Sequence, residues 1–266
     1  PFSLEDMQST NAIPFAERSL AASLTSEFAV GIQGGYSGKR YTVCAGWFGK
    51  AMDTPTGPAP SLGQGIVGRA TVLAVDRGRT KLHFGLGLER RSFGADDTVR
   101  FVAESGSAFG PRILRTPQLS NLDRRAGYNA EVALLSGSFA FQGQYVAQHI
   151  RQVGGRSRRL AGGYAQASWI VTGQPYRYSR TAGIVTGPDL GRKKPAVELS
   201  GRISWLDAEN ATLDGGIARS VDLSAGLYLG RNFRLLAGVT HSRYRERMGA
   251  PVRHAFVAAT RVQIAF

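Results

Sequence analysis

The sequence predicts an all-β chain that folds as a transmembrane antiparallel β-barrel. Two observations predict it: stretch after stretch alternates apolar with polar residues, and each stretch is long. The period of two indicates β-strands. Lengths of roughly nine to thirteen residues suit strands that cross a bilayer at a tilt, whereas soluble strands average about five or six. The pattern therefore favours a membrane barrel over a soluble barrel or sandwich.

The last stretch shows the pattern clearly. Between His254 and Phe266 one set of alternate residues is mostly apolar, with a phenylalanine at each end, and the other set is small or polar and includes Arg261. A soluble sheet would turn the apolar set towards a core, and this strand alone fits that alternative equally well. In a membrane barrel the apolar set faces lipid and the polar set faces the lumen. Ten further stretches repeat the pattern and favour the barrel.

Eleven strands are predicted in chain order. They are Phe28–Tyr36, Tyr41–Trp47, Gln64–Val75, Thr80–Arg90, Arg124–Leu134, Ser138–Gln148, Leu160–Thr172, Val197–Trp205, Val221–Leu229, Phe233–Thr240 and His254–Phe266. Short turns at Ser37, Asp76, Ser136 and Gly230 are predicted on the periplasmic side, because bacterial barrels alternate short periplasmic turns with longer outer loops. The outer loops are then Lys50–Gly63, Ser92–Asp123, His149–Arg159 and Ala208–Ala218.

The strand count also bears on the start of the chain and on one long turn. Bacterial single-chain barrels usually have an even number of strands, so eleven predict an odd number before Pro1. The same count makes Gly173–Pro195 a periplasmic turn of unusual length, which a fold into the lumen would explain. Residues 1–27 show no strand pattern, and the helical spacing of Glu17, Leu20 and Leu24 predicts short helical turns there.

The composition limits the partners and the class of protein. The 266 residues include 33 Lys and Arg against 19 Asp and Glu, a net charge of +14. Such a balance implies an anionic partner: nucleic acid, anionic lipid or small anions. No nucleic-acid motif or basic helix accompanies the charge, so a nucleic-acid partner is not expected. The single cysteine excludes an internal disulfide framework, and no apolar run approaches the length of a membrane helix.

Motifs for catalysis or cofactor binding are weak. Gly63–Gly68 fits G-x-G-x-x-G, but it opens a strand, whereas a nucleotide loop opens a helix. The four histidines show no metal-binding spacing, and no G-x-S-x-G elbow occurs. The sequence therefore predicts no catalytic residue, no metal and no cofactor. A barrel enzyme that uses a wall serine and histidine remains an alternative, as does a barrel with a structural or adhesive role.

Several segments resemble the phosphate-selective porin O/P family. They are YAQASWIVTGQPYRY at Tyr164–Tyr178, AVELSGRISWLDAE at Ala196–Glu209, and the final strand pair ending in Phe266. The opening PFSLEDMQST…FAER resembles the family's third loop, which enters the pore, and Val99–Ser105 resembles part of its fifth loop. The resemblance spans essentially the whole chain and is densest in residues 160–266.

The resemblance implies a sixteen-stranded, trimeric, anion-selective porin in the bacterial outer membrane, with five strands before Pro1. It implies one domain, with 1–27 as the inward third loop, 28–266 as barrel strands, and 92–123 and 173–195 folded into the lumen. The implied function is passive diffusion of small anions, phosphate or another oxyanion. The implied partners are these anions, outer-membrane lipid, lipopolysaccharide and two further copies of the chain.

An anion-preferring pore needs fixed positive charge at several weak sites. Strand phase places five cations on the lumen wall against four acids, Glu89, Glu131, Glu198 and Asp222. Further cations lie in His149–Arg159 and in Gly173–Pro195, which holds Arg177, Arg180, Arg192, Lys193 and Lys194. The predicted anion pathway, including the loop residues, is Arg18, Arg69, Lys81, Arg100, Arg177, Arg180, Arg202, Arg234 and Arg261.

Each of these cations has an alternative role. A wall arginine can form a salt bridge with a neighbouring strand, and the His149–Arg159 cluster can contact lipopolysaccharide. The strand phase further predicts that Trp169, Trp205, Phe233 and Phe266 face lipid while Gln166 faces the lumen. On phase alone, leucine should be tolerated at Arg202, whereas arginine at Leu199 should not.

Overall fold

The computed structural model describes residues 1–25, 29–51, 63–191, 195–210, 213–230 and 232–265. Two short helices come first: α1, Leu4–Met7, and a 3₁₀ helix, Leu20–Leu24. The helical turns predicted in this segment are therefore present. Among the described residues, no helix has both the length and the apolar character needed to span a membrane.

Fifteen strands follow the helices in the described ranges. They are β1 Ala29–Ser37, β2 Tyr41–Ala51, β3 Gln64–Arg77, β4 Thr80–Ser92, β5 Val102–Glu104, β6 Arg112–Arg115, β7 Leu122–Ser136, β8 Phe139–Gln152, β9 Ser157–Ile170, β10 Tyr176–Ser179, β11 Ile184–Pro188, β12 Ala196–Asn210, β13 Leu213–Tyr228, β14 Phe233–Arg245 and β15 Arg253–Ile264. Residues 28 and 266, predicted as strand ends, lie outside the described residues.

Eleven strands form one antiparallel sheet in the order β1-β2-β3-β4-β7-β8-β9-β12-β13-β14-β15. These are the eleven strands predicted from the alternation, so the all-β antiparallel barrel prediction is confirmed. The remaining four strands form two separate hairpins, β5–β6 and β10–β11. Each hairpin lies within one of the two long segments between sheet strands.

Two predicted outer loops are much shorter than expected. β8 continues to Gln152 and β9 begins at Ser157, so most of His149–Arg159 is strand. Likewise, β12 continues to Asn210 and β13 begins at Leu213. The ladder of backbone hydrogen bonds does not depend on apolar side chains. Strands can therefore continue beyond the apolar band, where both faces carry polar residues and the alternation disappears.

The two faces of the sheet have opposite character. On one, here called the exposed face, apolar side chains such as Leu223, Ile203 and Val262 are more than half exposed. On the other, the covered face, charged side chains such as Arg202 and Asp222 are buried. A soluble sheet buries its apolar face, whereas this arrangement is that of a membrane barrel.

The phase of the strands agrees with the sequence prediction at the described positions. Trp169 and Trp205 are 41% and 37% exposed on the exposed face, and Phe233 lies there too. Gln166 is buried on the covered face.

Aromatic side chains mark both ends of the apolar band. At the end with short turns, Phe139 stacks on Trp169 with ring centroids 5.8 Å apart. At the other end, Tyr145 packs against Tyr128 at 5.8 Å and against Trp205 at 6.0 Å. Tyr145 follows Phe139 by six positions on β8, a distance of about 20 Å at the usual rise per residue. Two aromatic girdles of this kind flank the apolar band of membrane barrels.

The exposed face yields a first prediction. Leu223 is 57% exposed in a row between the two aromatic girdles, so Leu223→Arg should destabilise the folded barrel by about 2–4 kcal/mol, the cost of arginine at lipid mid-depth. Urea unfolding in lipid vesicles measures this. The matched control is Val153→Arg, because Val153 is 71% exposed in the β8–β9 turn beyond the girdle. Equal unfolding midpoints for the two variants would contradict the lipid-facing assignment.

Three segments pack on the covered face: residues 1–25 and the hairpins β5–β6 and β10–β11. Phe2, Leu24, Phe101 and Ile113 belong to one buried apolar cluster there. A second cluster joins residues of α1 and the β10–β11 hairpin to the wall: Leu4, Tyr176, Ile184, Val185, Leu135 and Ala196. The covered face is therefore a packed interior.

Glycine allows the closest approach between residues 1–25 and the wall. A Cβ on Gly87 in β4 would lie 1.9 Å from the Phe2 carbonyl oxygen. Only glycine lets the backbone of another segment come this near a strand.

Candidate functional site

The candidate site is the set of charged side chains between the covered face and the three segments packed on it. They reach this space because polar residues occupy alternate strand positions, which all point to one face. A buried charge is tolerated when it is paired and hydrogen-bonded. The partners of each predicted pathway residue therefore indicate what that residue can do.

Arg202 links the wall to residues 1–25. Its Nε donates to Asp222 Oδ2 at 3.1 Å, and its Nη1 lies 3.4 Å from Glu5 Oε1. Its Nη2 donates to the backbone carbonyls of Glu17 and Arg18. The guanidinium also lies 4.2 Å from the ring centroid of Phe15. Arg202 is therefore an ion-paired anchor for residues 1–25.

Arg234 of β14 and Arg261 of β15 hold the same segment. Arg234 Nη1 donates to the carbonyls of Asn11 and Ile13, at 3.3 and 2.8 Å. Arg261 donates to the carbonyls of Thr10, Phe15 and Ala16, with Nη1 at 3.0 Å from the Ala16 oxygen. Backbone carbonyls take the place of carboxylates here, so most of the positive charge on Arg261 is not neutralised.

Glu198 collects donors from three elements. Arg234 Nη2 lies 3.2 Å from Glu198 Oε2, and the Tyr228 hydroxyl donates to the same oxygen at 2.6 Å. The Tyr176 hydroxyl, from the β10–β11 hairpin, donates to Glu198 Oε1 at 2.6 Å. Burial, together with the nearby Glu198 charge, raises the pKa of the Tyr176 hydroxyl. Tyr176 therefore stays a neutral donor and fastens the hairpin to the wall.

Arg69 and Glu131 form the second attachment of that hairpin. Arg69 donates to Glu131 Oε1 from Nε and Nη2, at 2.9 and 2.5 Å. It also donates to the carbonyls of Ala182 and Gly183 in the hairpin turn. His83 lies between Glu131 Oε1, at 3.1 Å, and the Tyr178 hydroxyl, at 2.7 Å.

Sequence reasoning placed Glu89 on the lumen wall but missed its two buried partners, Arg91 and Arg125. Arg125 Nη2 lies 2.7 Å and Arg91 Nε 3.4 Å from the Glu89 carboxylate. Both arginines are almost fully buried. The signal was available, because both occupy the inward phase of their strands. Arg91 lies one residue beyond the predicted strand end at Arg90, whereas Arg125 lies inside the predicted strand Arg124–Leu134 but was not counted among the wall cations.

The two loop cations of the predicted pathway lie in different surroundings. Arg18 is half-buried and donates to the carbonyls of Glu5 and Gln8, both at 3.2 Å. Arg100 donates from Nη2 to Gln118 Oε1 at 3.3 Å, while its buried Nε has no hydrogen-bond partner among the described residues. Neither forms an ion pair within the part of the chain that the structure describes.

Lys81 and the hairpin cations complete the predicted set. Lys81 Nζ lies 2.7 Å from Asp76 Oδ1, and Arg180 Nη2 lies 2.7 Å from Asp76 Oδ2. One acid therefore pairs with both. Arg177 is exposed on β10. The other three predicted cations, residues 192–194, lie outside the described residues.

A cavity of about 340 Å³ separates residues 17–23 from the β5–β6 region. Glu17, Arg18, Ser23, Glu104 and Ser107 contribute polar groups to its lining. The cavity lies where segments resembling the third and fifth loops of the porin family meet. Its lining includes both signs of charge.

One acid of residues 1–25 has a raised pKa. Burial raises the pKa of Asp6 to about 6, although hydrogen bonds from Ser3 and Thr25 lower it. Both hydroxyls donate at 2.7 Å, to different oxygens of the carboxylate. Asp6 therefore gains a proton at a higher pH than an exposed aspartate.

Comparison with known proteins identifies the family. No curated protein matches the chain significantly. The profile of one family, described as phosphate-selective porin O and P, matches residues 1–266. Together with the exposed apolar face and its two aromatic girdles, this match assigns the chain: it belongs to the phosphate-selective porin O and P family and is an outer-membrane porin.

Proposed function

We propose that this porin is a passive channel for small anions, phosphate or another oxyanion. The observation that carries the proposal is a pair of partly exposed interior cations, Arg18 and Arg261, whose described hydrogen-bond partners are backbone carbonyls. Arg18 also lines the cavity of about 340 Å³. Guanidinium N–H groups bind the oxygens of phosphates and carboxylates through charge-assisted hydrogen bonds. Several separate donors suit conduction, because an ion must be able to leave each site.

In this proposal the covered face is the lumen wall, and residues 1–27, 92–123 and 173–195 narrow the lumen. The contacts of Arg202, Arg69 and Tyr176 with these segments support it. Paired wall cations then position the segments. Cations whose described partners are carbonyls, Arg18 and Arg261, attract the solute.

A barrel with a structural or adhesive role is the second candidate. The observation that favours it is the packing of three segments against the covered face, with two buried apolar clusters between them. The cavity of about 340 Å³ beside Arg18 favours passage instead. Planar-bilayer conductance of the full-length porin distinguishes the two. A channel gives discrete conductance steps and, under a KCl gradient, a reversal potential of anion-preferring sign. Absence of conductance would leave the structural role.

The β10–β11 segment provides a test of selectivity. Replacing Arg177 and Arg180 with alanine removes two positive charges, so the anion/cation permeability ratio should fall. The fall should be larger at low salt, where screening is weakest. The reversal potential under a KCl gradient measures it. The control neutralises Arg156, Arg158 and Arg159 at the β8–β9 end, which we expect to change the ratio less. A larger change in the permeability ratio for the Arg156, Arg158 and Arg159 variant would place the selectivity filter at the outer mouth.

Two partners complete the proposal. The family resemblance supports assembly as a homotrimer. The excess of cations at the ends of β8 and β9 supports contact with lipopolysaccharide, whose phosphates are anionic. Crosslinking of the full-length porin in native membranes tests the first, and titration of the porin with lipid A tests the second.

A further inference from the structure

Two arginines lie side by side on the exposed face of the sheet. The register pairs Arg219 of β13 directly with Arg243 of β14. Trp205 of β12 pairs with Arg219 on one side, and His254 of β15 pairs with Arg243 on the other. All four side chains occupy the outward phase, and both arginines are exposed. The row therefore presents two adjacent guanidinium groups between an indole and an imidazole.

Neither arginine has an acidic partner within the described residues. Like charges directly opposite on a sheet are destabilising, so a protein acid would be expected nearby. One row further out, Arg245 does have such an acid: its Nη2 lies 2.9 Å from Glu209 Oε2. Asp207, in that same outer row, pairs with Ile217 and accepts the backbone N–H of Glu209. The charges of Arg219 and Arg243 are thus left for a group outside the chain.

The row lies at the boundary of the apolar band. One row towards the middle of the membrane the register pairs Ile203, Val221 and His241, and then Phe256. Trp205 belongs to the aromatic girdle at the end of the sheet opposite the short turns β1–β2, β3–β4, β7–β8 and β13–β14. Aromatic girdles lie at the level of lipid headgroups, and short turns of this kind are on the periplasmic side of bacterial barrels. The two arginines therefore lie at the headgroups of the outer leaflet.

We infer that Arg219 and Arg243 form a binding site for the phosphate groups of lipopolysaccharide. Phosphate supplies the negative charge that the row lacks, and two guanidinium forks can each give it parallel hydrogen bonds. The exposed apolar side chains of Ile203, Val221 and Phe256 then contact the acyl chains of the same lipid. The site lies on the opposite face of the sheet from the lumen. It uses the membrane orientation of the porin and is independent of which solute the channel passes.

The test uses the full-length porin in detergent, titrated with bisphosphorylated lipid A and followed by native mass spectrometry. Hydrogen bonds between charged groups are stronger than those between neutral groups, so each arginine should contribute at least roughly tenfold in affinity. Arg219→Gln/Arg243→Gln should bind the lipid about a hundredfold more weakly. The control is Arg90→Gln, because Arg90 is also exposed on the outward phase but pairs with Ile66 and Ala126. This control should bind like the parent.

Two further arms separate the sources of phosphate. Dephosphorylated lipid A should bind the parent as weakly as lipid A binds the double variant. Inorganic phosphate at millimolar concentration should not displace lipid A. Equal affinity for lipid A in parent and double variant would overturn the site. Displacement by inorganic phosphate would show a free-anion site instead.

A second copy of the chain is the other possible occupant of this row. If the double variant loses its oligomeric state while lipid binding is unchanged, the row is an interface between copies and the inference is wrong. Should the glutamine variant fail to fold, Arg219→Lys/Arg243→Lys keeps the charge and removes the planar fork. This variant should bind lipid A about tenfold more weakly, and parent-like affinity would also overturn the inference.

Discussion

Arg202→Leu should destabilise the folded porin by about 3–5 kcal/mol, the usual cost of removing one partner from a buried ion pair. The variant leaves the carboxylates of Glu5 and Asp222 buried without their shared cation. It also removes the donors to two carbonyls of residues 1–25 and the contact with the Phe15 ring. Urea unfolding in lipid vesicles measures the loss.

The control for this variant is Arg253→Leu. Arg253 also forms an ion pair, with Glu246 at 3.0 Å, but both side chains are about half exposed. An exposed pair contributes about 0–1 kcal/mol. A triple variant that adds Glu5→Gln and Asp222→Asn to Arg202→Leu should recover part of the stability, because it removes both unpaired charges. If Arg202→Leu and Arg253→Leu unfold at the same urea concentration, Arg202 is not an anchor.

The case of Arg202 shows which parts of the fold the sequence alone can predict. Phase alone puts Arg202 on the inward face, which is correct, and predicts that leucine would be tolerated there. The structure gives the opposite expectation, because Glu5 lies 197 residues away in the chain. The face of a side chain follows from a local period of two. Its partner depends on where a distant segment packs, and no local pattern records that.

Strand ends account for the other omissions. The alternation fades where both faces become polar, so one predicted strand stops at Arg90 whereas β4 reaches Ser92. Arg91 was therefore not placed on the wall. Arg125 lies inside the predicted strand Arg124–Leu134 and on its inward phase, but it was not counted among the wall cations. Following the phase through both strand ends would have found the two partners of Glu89. The hairpins β5–β6 and β10–β11 have strands of only three to five residues, too short for a reliable period.

Glu131→Leu should cost about as much as Arg202→Leu, about 3–5 kcal/mol, for a different reason. Glu131 links two of the covered segments to the wall. The Leu4 backbone N–H donates to its Oε2 at 2.7 Å, and Arg69, which donates to its Oε1, also donates to the Gly183 carbonyl of the β10–β11 turn. Asn129 Nδ2, from the same strand, donates to Oε2 at 2.7 Å. Leucine fills the volume but accepts none of these bonds. The buried Arg69 guanidinium would then keep only the carbonyls of Ala182 and Gly183.

Two readouts separate this role from general destabilisation. Global stability is measured by urea unfolding, and release of the covered segments by limited proteolysis of the folded porin. Because Glu131 bonds to Leu4 and, through Arg69, to the β10–β11 turn, both regions should become protease-sensitive at urea concentrations that leave the sheet intact. The control is Glu104→Gln, whose partner Arg112 lies 3.5 Å away and is 65% exposed. This variant should change the free energy of unfolding by no more than about 1 kcal/mol and leave the proteolysis pattern unchanged. Glu131→Gln keeps an acceptor oxygen, so its stability should lie between those of Glu131→Leu and Glu104→Gln. If Glu131→Leu lost stability while both segments stayed protected, the carboxylate would stabilise the wall alone, and the segments would be held by Arg202 and Tyr176.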